Sequence, residues 1–276
     1  MLLVAPEQVA GLRDWFRPER PGPLVGMHVV NTGHGTCVAD RWPDPRALLV
    51  STGNNHSLAG DPHALDPADI ARHVTGFLDA PESFDPLLRA AFPDAVVWDR
   101  VMLDRRVPAC PTPVPGVRPL GPADTDHLAG LDPESAWISD TWGGPAGLAA
   151  SGVAHGAFVD GWLASVACTF YVGERYEEIG VVTEPDHRGR GLSAASAAAL
   201  CADIRARGRC PSWTTSPDNV ASLRVAEKLG FVRHHEDRLH VCGVPVPQVP
   251  VTPHTCLLYT SPSPRDRTRS RMPSSA

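Results

Sequence analysis

Two short stretches and one pair of neighbouring carboxylates hold the residues in this sequence best suited to chemistry. In the first stretch, Val181 to Ser193, the β-branched run Ile179 to Thr183 enters a turn at Glu184-Pro185-Asp186. Arg188-Gly189-Arg190-Gly191-Leu192-Ser193 then leads directly into an alanine-rich run of helical composition. Glycines let a backbone approach a ligand closely. The free N–H groups at a helix N-terminus point outward, and the helix dipole favours negative charge there. Arg188 and Arg190 add positive charge, so the ligand expected of this pattern is a phosphate or pyrophosphate. A tight strand-to-helix turn would use the same residues. The P-loop and dinucleotide-fold readings fail, because there is no G-K-S/T and no G-x-G-x-x-G fingerprint in a βαβ context.

The second stretch is SPDNVASLRVAEKLGF, Ser216 to Phe231. Asn219 stands where a helix cap belongs, Ala221 and Ser222 keep the helix start small, and Gly230 supplies a left-handed stop. Between the stretches the composition reads helix, then the strand Cys210 to Thr215. Upstream, Glu177 and Glu178 lie on the strand that enters the first stretch and are candidate general bases. Strand alternation sends them to opposite faces, so at most one can point into a site. His155 and Cys168 are weaker candidates. His234, His235 and His240 could suggest a metal, but alternation separates the first two and no metal is expected.

The first stretch resembles motif A of the GNAT acyltransferase superfamily, R/Q-x-x-G-x-G/A, with Arg188 and Gly191 in place and Ser193 standing at the last position. The second resembles motif B, N-x-x-S/A followed by a helix ending E-K-L-G-F. The resemblance covers Gly116 to Gly243. It implies that Val181, Val182 and Thr183 pair with a pantetheine arm, and that Arg188, Gly189, Arg190, Gly191, Leu192 and Ser193 hold a coenzyme A pyrophosphate. Asn219 and Ser222 would lie beside the same cofactor. It implies acetyl-CoA (acyl-CoA) as co-substrate and direct transfer of the acyl group to an amine of a small molecule or peptide. The family often carries a tyrosine acid within motif B; here that position is Ala226. A catalytically weak acyl-CoA-binding sensor or scaffold module is the alternative.

These residues need strands and helices to position them. In the second half the patterns predict a strand at Gly116 to Leu120, a helix at Ala123 to Leu131, and helix and loop from Pro133 to Ser151. A hairpin of Ala154 to Asp160 and Trp162 to Val172 turns at Asp160-Gly161. A strand at Tyr176 to Thr183, a helix at Leu192 to Arg207, the strand Cys210 to Thr215, a helix at Asn219 to Leu229 and a final strand Phe231 to Cys242 follow. This β-α-α-β-β-β-α-β-α-β order is that of the GNAT fold. The fold class is therefore α/β (α+β), a mixed and mostly antiparallel sheet flanked by helices, with an additional α/β N-terminal domain. In that first part, residues 1–107, the patterns predict helical spacing at Pro6 to Phe16 and short strands at Thr36 to Ala39 and Ala47 to Ser51. A polar turn is expected around Asn54, Asn55 and His56, helices at Asp66 to Leu78 and Leu87 to Phe92, and a buried strand at Ala95 to Leu103. It could be a diverged second lobe of the same type.

The four prolines of Pro108 to Val117 mark a linker, 108–115, between this part and a domain over 116–243, and Val244 to Thr255 reads as a Pro-rich tail. Residues 256–276 share no pattern with the rest. Cys256 to Asp266 resembles a translated sequencing adapter, so the arginines there are not read as a nucleic-acid site. Without that tail the formal charge falls from −6 to −9. An acidic chain with one lysine, Lys228, and no basic cluster interleaved with aromatics is not a nucleic-acid binder. The absence of a long apolar run or secretory signal makes no membrane association and a cytoplasmic location the expectation, as a monomer or homodimer. The seven cysteines form no C-x-x-C pair and read as reduced thiols.

Overall fold

The computed structural model describes residues 1–105 and 115–245. The expected linker (but for Pro115), most of the Pro-rich tail and the adapter-like segment lie outside the described residues. The first half runs β1 (Leu2–Leu3), α1 (Pro6–Val9), a 3-10 turn over Ala10–Phe16, α2 (Val25–Thr32), β2 (Thr36–Ala39), β3 (Ala47–Thr52), β4 (Asn55–Gly60), α3 (Pro67–His73), β5 (Gly76–Asp79), α4 (Asp85–Ala91) and β6 (Val96–Asp104). The second half runs β7 (Val117–Pro119), α5 (Thr125–Ala129), a 3-10 turn over Ala136–Trp142, α6 (Pro145–Ser151), β8 (Ala154–Val159), β9 (Trp162–Val172), β10 (Tyr176–Thr183), α7 (Leu192–Ala206), β11 (Cys210–Thr215), α8 (Val220–Lys228) and β12 (Val232–Cys242). The two halves repeat one order, β-α-α-β-β-β-α-β-α-β.

The repeat extends to the sheet. All twelve strands form one sheet in the order β1-β2-β3-β4-β5-β12-β6-β11-β10-β9-β8-β7. In each half the fourth strand pairs in parallel with the fifth, β4 with β5 and β10 with β11. The last strand of each half lies on the far side of the other half's last strand. β6 pairs with β11, β12 pairs with β5, and β6 and β12 pair antiparallel at the centre from Val232–Asp104 to Val241–Val96. The described residues accordingly form one compact unit.

The second half follows its sequence pattern closely. The β8–β9 hairpin turns at Asp160 (φ 50°) and Gly161 (φ 84°), the left-handed pair such a turn requires. The first half departs from expectation in two places. The helix predicted over Asp66 to Leu78 stops at His73, and Gly76 to Asp79 is β5. Gly76 has φ 123° and lies so close to the Asn54 carbonyl that a Cβ would stand 2.2 Å from it, so only glycine permits the turn into the strand. The polar turn at Asn54 to His56 opens at Asn55 into β4. His56 is buried there, bonded to Ser51 and the Thr75 carbonyl.

One face of the sheet carries α1, α2, α5 and α6 over a core shared by both halves, including Met27, Val29, Ile138, Trp142 and Tyr171. On the other face α7 and α8 cover Val101, Leu103, Ile179 and Trp213, while α3 and α4 cover Leu49, Leu58 and Leu78. His28 joins the halves on the first face. The Val172 N–H donates to its Nδ1 at 3.2 Å and its Nε2 lies 2.8 Å from the Thr141 carbonyl, a pattern that fits neutral imidazole. Burial pushes the His28 pKa down to about 4. A histidine depressed in the folded state loses stabilisation as pH falls from its unfolded value, near 6.5, towards about 4. We expect wild-type urea stability to decline across that window by on the order of 1–3 kcal/mol from this group, and the decline to be smaller in His28→Gln.

Candidate active site

β10 and β11 are in register only over Tyr176–Cys210, Glu177–Pro211 and Glu178–Ser212. A bulge then interrupts β10 between Glu178 and Ile179, and the two strands continue unpaired to Thr183 and Thr215. β10 remains held on its other side by β9, where the Ser165 hydroxyl donates to the Val182 carbonyl at 2.6 Å and lies 2.9 Å from the Thr183 hydroxyl. The cleft thus has Val181, Val182 and Thr183 on one wall. Val181 packs its side chain under α7 and α8, and Val182 faces the opposite core.

At the far end of β10 the chain reaches the glycine-arginine loop. Gly189 (φ 76°) and Gly191 (φ 80°) are both left-handed, and Gly191 is the residue from which α7 departs. No side chain caps this helix and no acidic residue lies in its first turn, so its first N–H groups stay free for a ligand. Leu192 and Ser193 open the helix at a half-exposed surface. Arg188 donates to the Thr183 carbonyl at 3.3 Å and pairs with Glu134 at 3.1 Å, while Arg190 reaches His187 at 2.9 Å; both remain exposed beside the loop.

The helix start of α8 closes the other wall. Asn219 accepts the Ser222 N–H at 3.1 Å and so caps the helix, and the Ser222 hydroxyl accepts the Trp213 indole N–H at 2.9 Å. These bonds commit both side chains to the local frame. Ala226 is fully buried under the helix.

The adjacent glutamates separate as alternation requires. Glu177 is fully buried on the α7 side, receiving Arg207 (2.7 and 3.0 Å), Arg209 (2.9 Å) and the Thr169 hydroxyl (2.5 Å). Burial pushes its carboxyl up, but these donors outweigh it and hold the pKa below the ordinary value. Glu178 points to the opposite face, at the last pair before the two strands part. It is buried, and its Oε2 has no hydrogen-bond partner. Burial pushes its pKa up to about 7; Thr214 and Arg100 restrain the rise and Asp79 adds to it.

The sequence patterns did not single out the groups around Glu178. Tyr171 stands across from it on β9 and Ser212 on β11, while Arg100 and Asp79 come from β6 and β5 of the first half. Burial raises the Tyr171 pKa well above its ordinary value, and Asp79 is pushed up to about 7 by burial and by Asp237. β9 also holds Ser165 and Thr169, and β6 also holds Asp99 and Asp104, so no local pattern distinguishes Tyr171 or Arg100. His155 and Cys168 lie apart from this group, His155 at 3.3 Å from Asp203 and Cys168 buried beneath Ile138. The register shift in β12 brings the His234 and His235 rings together, with Nδ1 atoms 2.8 Å apart, where simple alternation would separate them. No group of three or more His, Cys, Asp or Glu side chains among the described residues is arranged to hold a metal. No helix among them is long and apolar enough to cross a membrane.

A family model described as GNAT acetyltransferase matches residues 122–239. An uncharacterised N-acetyltransferase of Streptomyces virginiae is 42% identical over 214 residues, covering 75% of this chain and 90% of its own. The crystal structure of a GCN5-related N-acetyltransferase-like protein from Streptococcus suis 89/1591 superposes with a TM-score of 0.67 at 19% identity, over 86% of this chain and 98% of that one. A tandem GNAT protein from the clavulanic acid biosynthesis pathway does so with a TM-score of 0.53 at 14% identity, over 89% and 99%.

Opposite behaviour is expected of the two glutamates. Removing the charge of Glu177 leaves Arg207 and Arg209 without their partner, and Glu177→Gln should lose about 3 kcal/mol in urea unfolding. Glu178 has a folded pKa above its unfolded value, so it lowers stability progressively as pH rises from about 4.5 to about 7. Glu178→Gln should therefore match wild type near pH 4.5 and exceed it at about pH 8, by on the order of 1–3 kcal/mol.

Proposed function

Because the chain belongs to the GNAT acetyltransferase family, we propose that it transfers an acetyl group from acetyl-CoA directly to an amine of a small molecule or peptide, with Glu178 as general base. The observation that carries this reading is a buried carboxylate with one oxygen unpartnered, placed where β10 leaves β11; burial pushes its pKa up to about 7. The α7 end suits the pyrophosphate of the co-substrate, with two left-handed glycines, two arginines and no capping side chain. Bound acetyl-CoA supplies the acetyl thioester. Arg188, Gly189, Arg190, Gly191, Leu192 and Ser193 hold its phosphates, and the backbone edge of Val181, Val182 and Thr183 that does not pair with β11 receives its extended arm. Asn219 and Ser222 act by fixing the start of α8 beside it.

The amine must lose a proton to attack. A carboxylate whose pKa lies near neutrality is matched to take that proton at physiological pH. Glu177, ionised and pinned by two arginines, serves instead to hold β10 against the end of α7. With Ala226 at that position, α8 carries no tyrosine to serve as the acid. Tyr171, which shares a face with Glu178, is the phenol available to protonate the leaving thiolate.

The first half repeats the architecture without the anion site. The helix that corresponds to α7 is α3. Its N-terminus is capped by the Asp66 carboxylate, which accepts the Ala68 N–H at 2.8 Å, and Asp69 lies in its first turn. Two carboxylates occupy the positions a pyrophosphate would need, so we assign cofactor binding to the second half alone.

Two measurements test the reading. Acetyl-CoA and coenzyme A should each raise the melting temperature of the wild type saturably, and Gly191→Asp should abolish both shifts; unchanged affinity in that variant would refute the site. Glu178→Gln should lower kcat by about 10²- to 10⁴-fold while retaining the acetyl-CoA shift. In wild type kcat/KM should rise with pH through about 7, and that limb should vanish in the variant. Binding without turnover on a broad amine panel would point instead to a sensor or scaffold.

A further inference from the structure

Across the cleft from Glu178 lies a cation that no step above employs. β6, contributed by the first half, pairs with β11 through Leu103–Trp213 and Met102–Thr214. Arg100 and Trp98 follow Met102 at every second position, so they share its face of the sheet, the face of Glu178, Ser212 and Thr214. β11 ends at Thr215, and Arg100 lies beyond that end. The charges and phenol acting on it are Glu178, Tyr171 and Asp218. Its guanidinium stacks 4.3 Å over the Trp98 ring, which sets the plane of its donors.

Arg100 is a charge without a counterpart. Its neighbour across the central strand pair is Asp237, but that carboxylate is taken by Arg20 at 2.5 Å. Among the described residues Arg100 makes no ion pair, and its Nε is buried with no hydrogen-bond partner. A desolvated, unpaired guanidinium is costly unless something completes it. The planar fork of arginine matches a carboxylate with two parallel N–H···O bonds. Glu178 and Asp218 act on this position and Asp237 is its cross-strand neighbour, and three carboxylates with a single committed arginine disfavour a dianion. A monoanion is admitted, and a positive charge on the same molecule is favoured.

Resting on the transferase reading, we propose that the acceptor is an amine bearing a carboxylate, its amino group directed to Glu178 and its carboxylate held by Arg100 on the Trp98 platform. The acceptor pocket is then shared between the halves: the second supplies the base and the first supplies the anion clamp.

The test uses the full chain and measures coenzyme A thiol release from acetyl-CoA with ω-amino acids of increasing length as acceptors, each matched with its amide, its plain alkylamine and its aminoalkylphosphonate. At the fitting length the acid should exceed its amide by roughly tenfold or more in kcat/KM, the usual worth of a charge-assisted bidentate contact. Arg100→Gln should collapse that acid-to-amide ratio through KM, and Arg100→Lys should restore part of it. Equal use of acids and amides by the wild type would overturn the carboxylate clamp while leaving the transferase standing. Preference for the phosphonates would overturn the choice of anion. Absence of turnover with every amine would count against the transferase reading instead. The clamp is then judged by binding, read as quenching of Trp98 fluorescence against a Trp98→Phe control. Quenching by the acids but not the amides, lost in Arg100→Gln, supports it; no difference between acid and amide overturns it.

Discussion

The antiparallel pairing of β6 with β12 is the constraint on which the rest of the structure depends. Each strand ends one half of the chain and is flanked on its outer side by the fifth strand of the other half. Neither half can complete its own sheet order alone, and the hydrophobic layers cross the seam: Val101 and Leu103 of the first half lie under α7 and α8, and Cys242 of the second lies under α3 and α4. The exchange also places residues of the first half beside the cleft of the second. Arg100 lies near Glu178 only because β6 stands next to β11.

Two copies of one architecture need not be alike in detail, and the halves here differ at a helix end. α7 begins from a left-handed glycine with its N–H groups unclaimed, whereas α3 begins from an aspartate that claims one of them. An uncapped helix end exposes partial positive charge that a ligand can use. A carboxylate cap satisfies the same dipole internally and repels an anion. The long α7 rises from the open end; α3, with seven residues, rises from the closed one. Under the proposed reading, the asymmetry of function is an asymmetry of capping on a shared frame.

What could be read from the sequence was local. The glycine-arginine loop, the Asn219 cap, the Asp160-Gly161 turn and the strand carrying Glu177 and Glu178 each express their geometry within a few residues, and the structure places each as its pattern suggests. What could not be read depends on partners distant in the chain. β5 is short and holds helical-looking spacing at Phe77 and Leu78. It becomes a strand because β4 and β12 flank it, the latter from the far end of the second half. β4, with Asn, His and Ser in its first three positions, has the composition of a turn and is a strand by virtue of β3. The surroundings of Glu178 were hidden for the same reason, since Asp79 and Arg100 reach it through the strand exchange.

Alternation does the remaining sorting. Glu177 and Glu178 are chemically equal and adjacent in the chain, and both are buried. The pleat turns one towards Arg207, Arg209 and Thr169, and the other towards a face where Oε2 finds no donor. Ion pairing holds the first below the ordinary carboxylate range; desolvation lifts the second towards neutrality. The paired residue anchors β10 one position before its last contact with β11, which Glu178 makes opposite Ser212. The bulge follows at once, and the strands part. An unpaired, near-neutral carboxylate thus sits at the vertex of the cleft because its neighbour's ion pairs hold the strand in place up to that vertex. Loosening the Glu177 cluster would shift the bulge, and with it the position of Glu178 relative to anything bound between the strands.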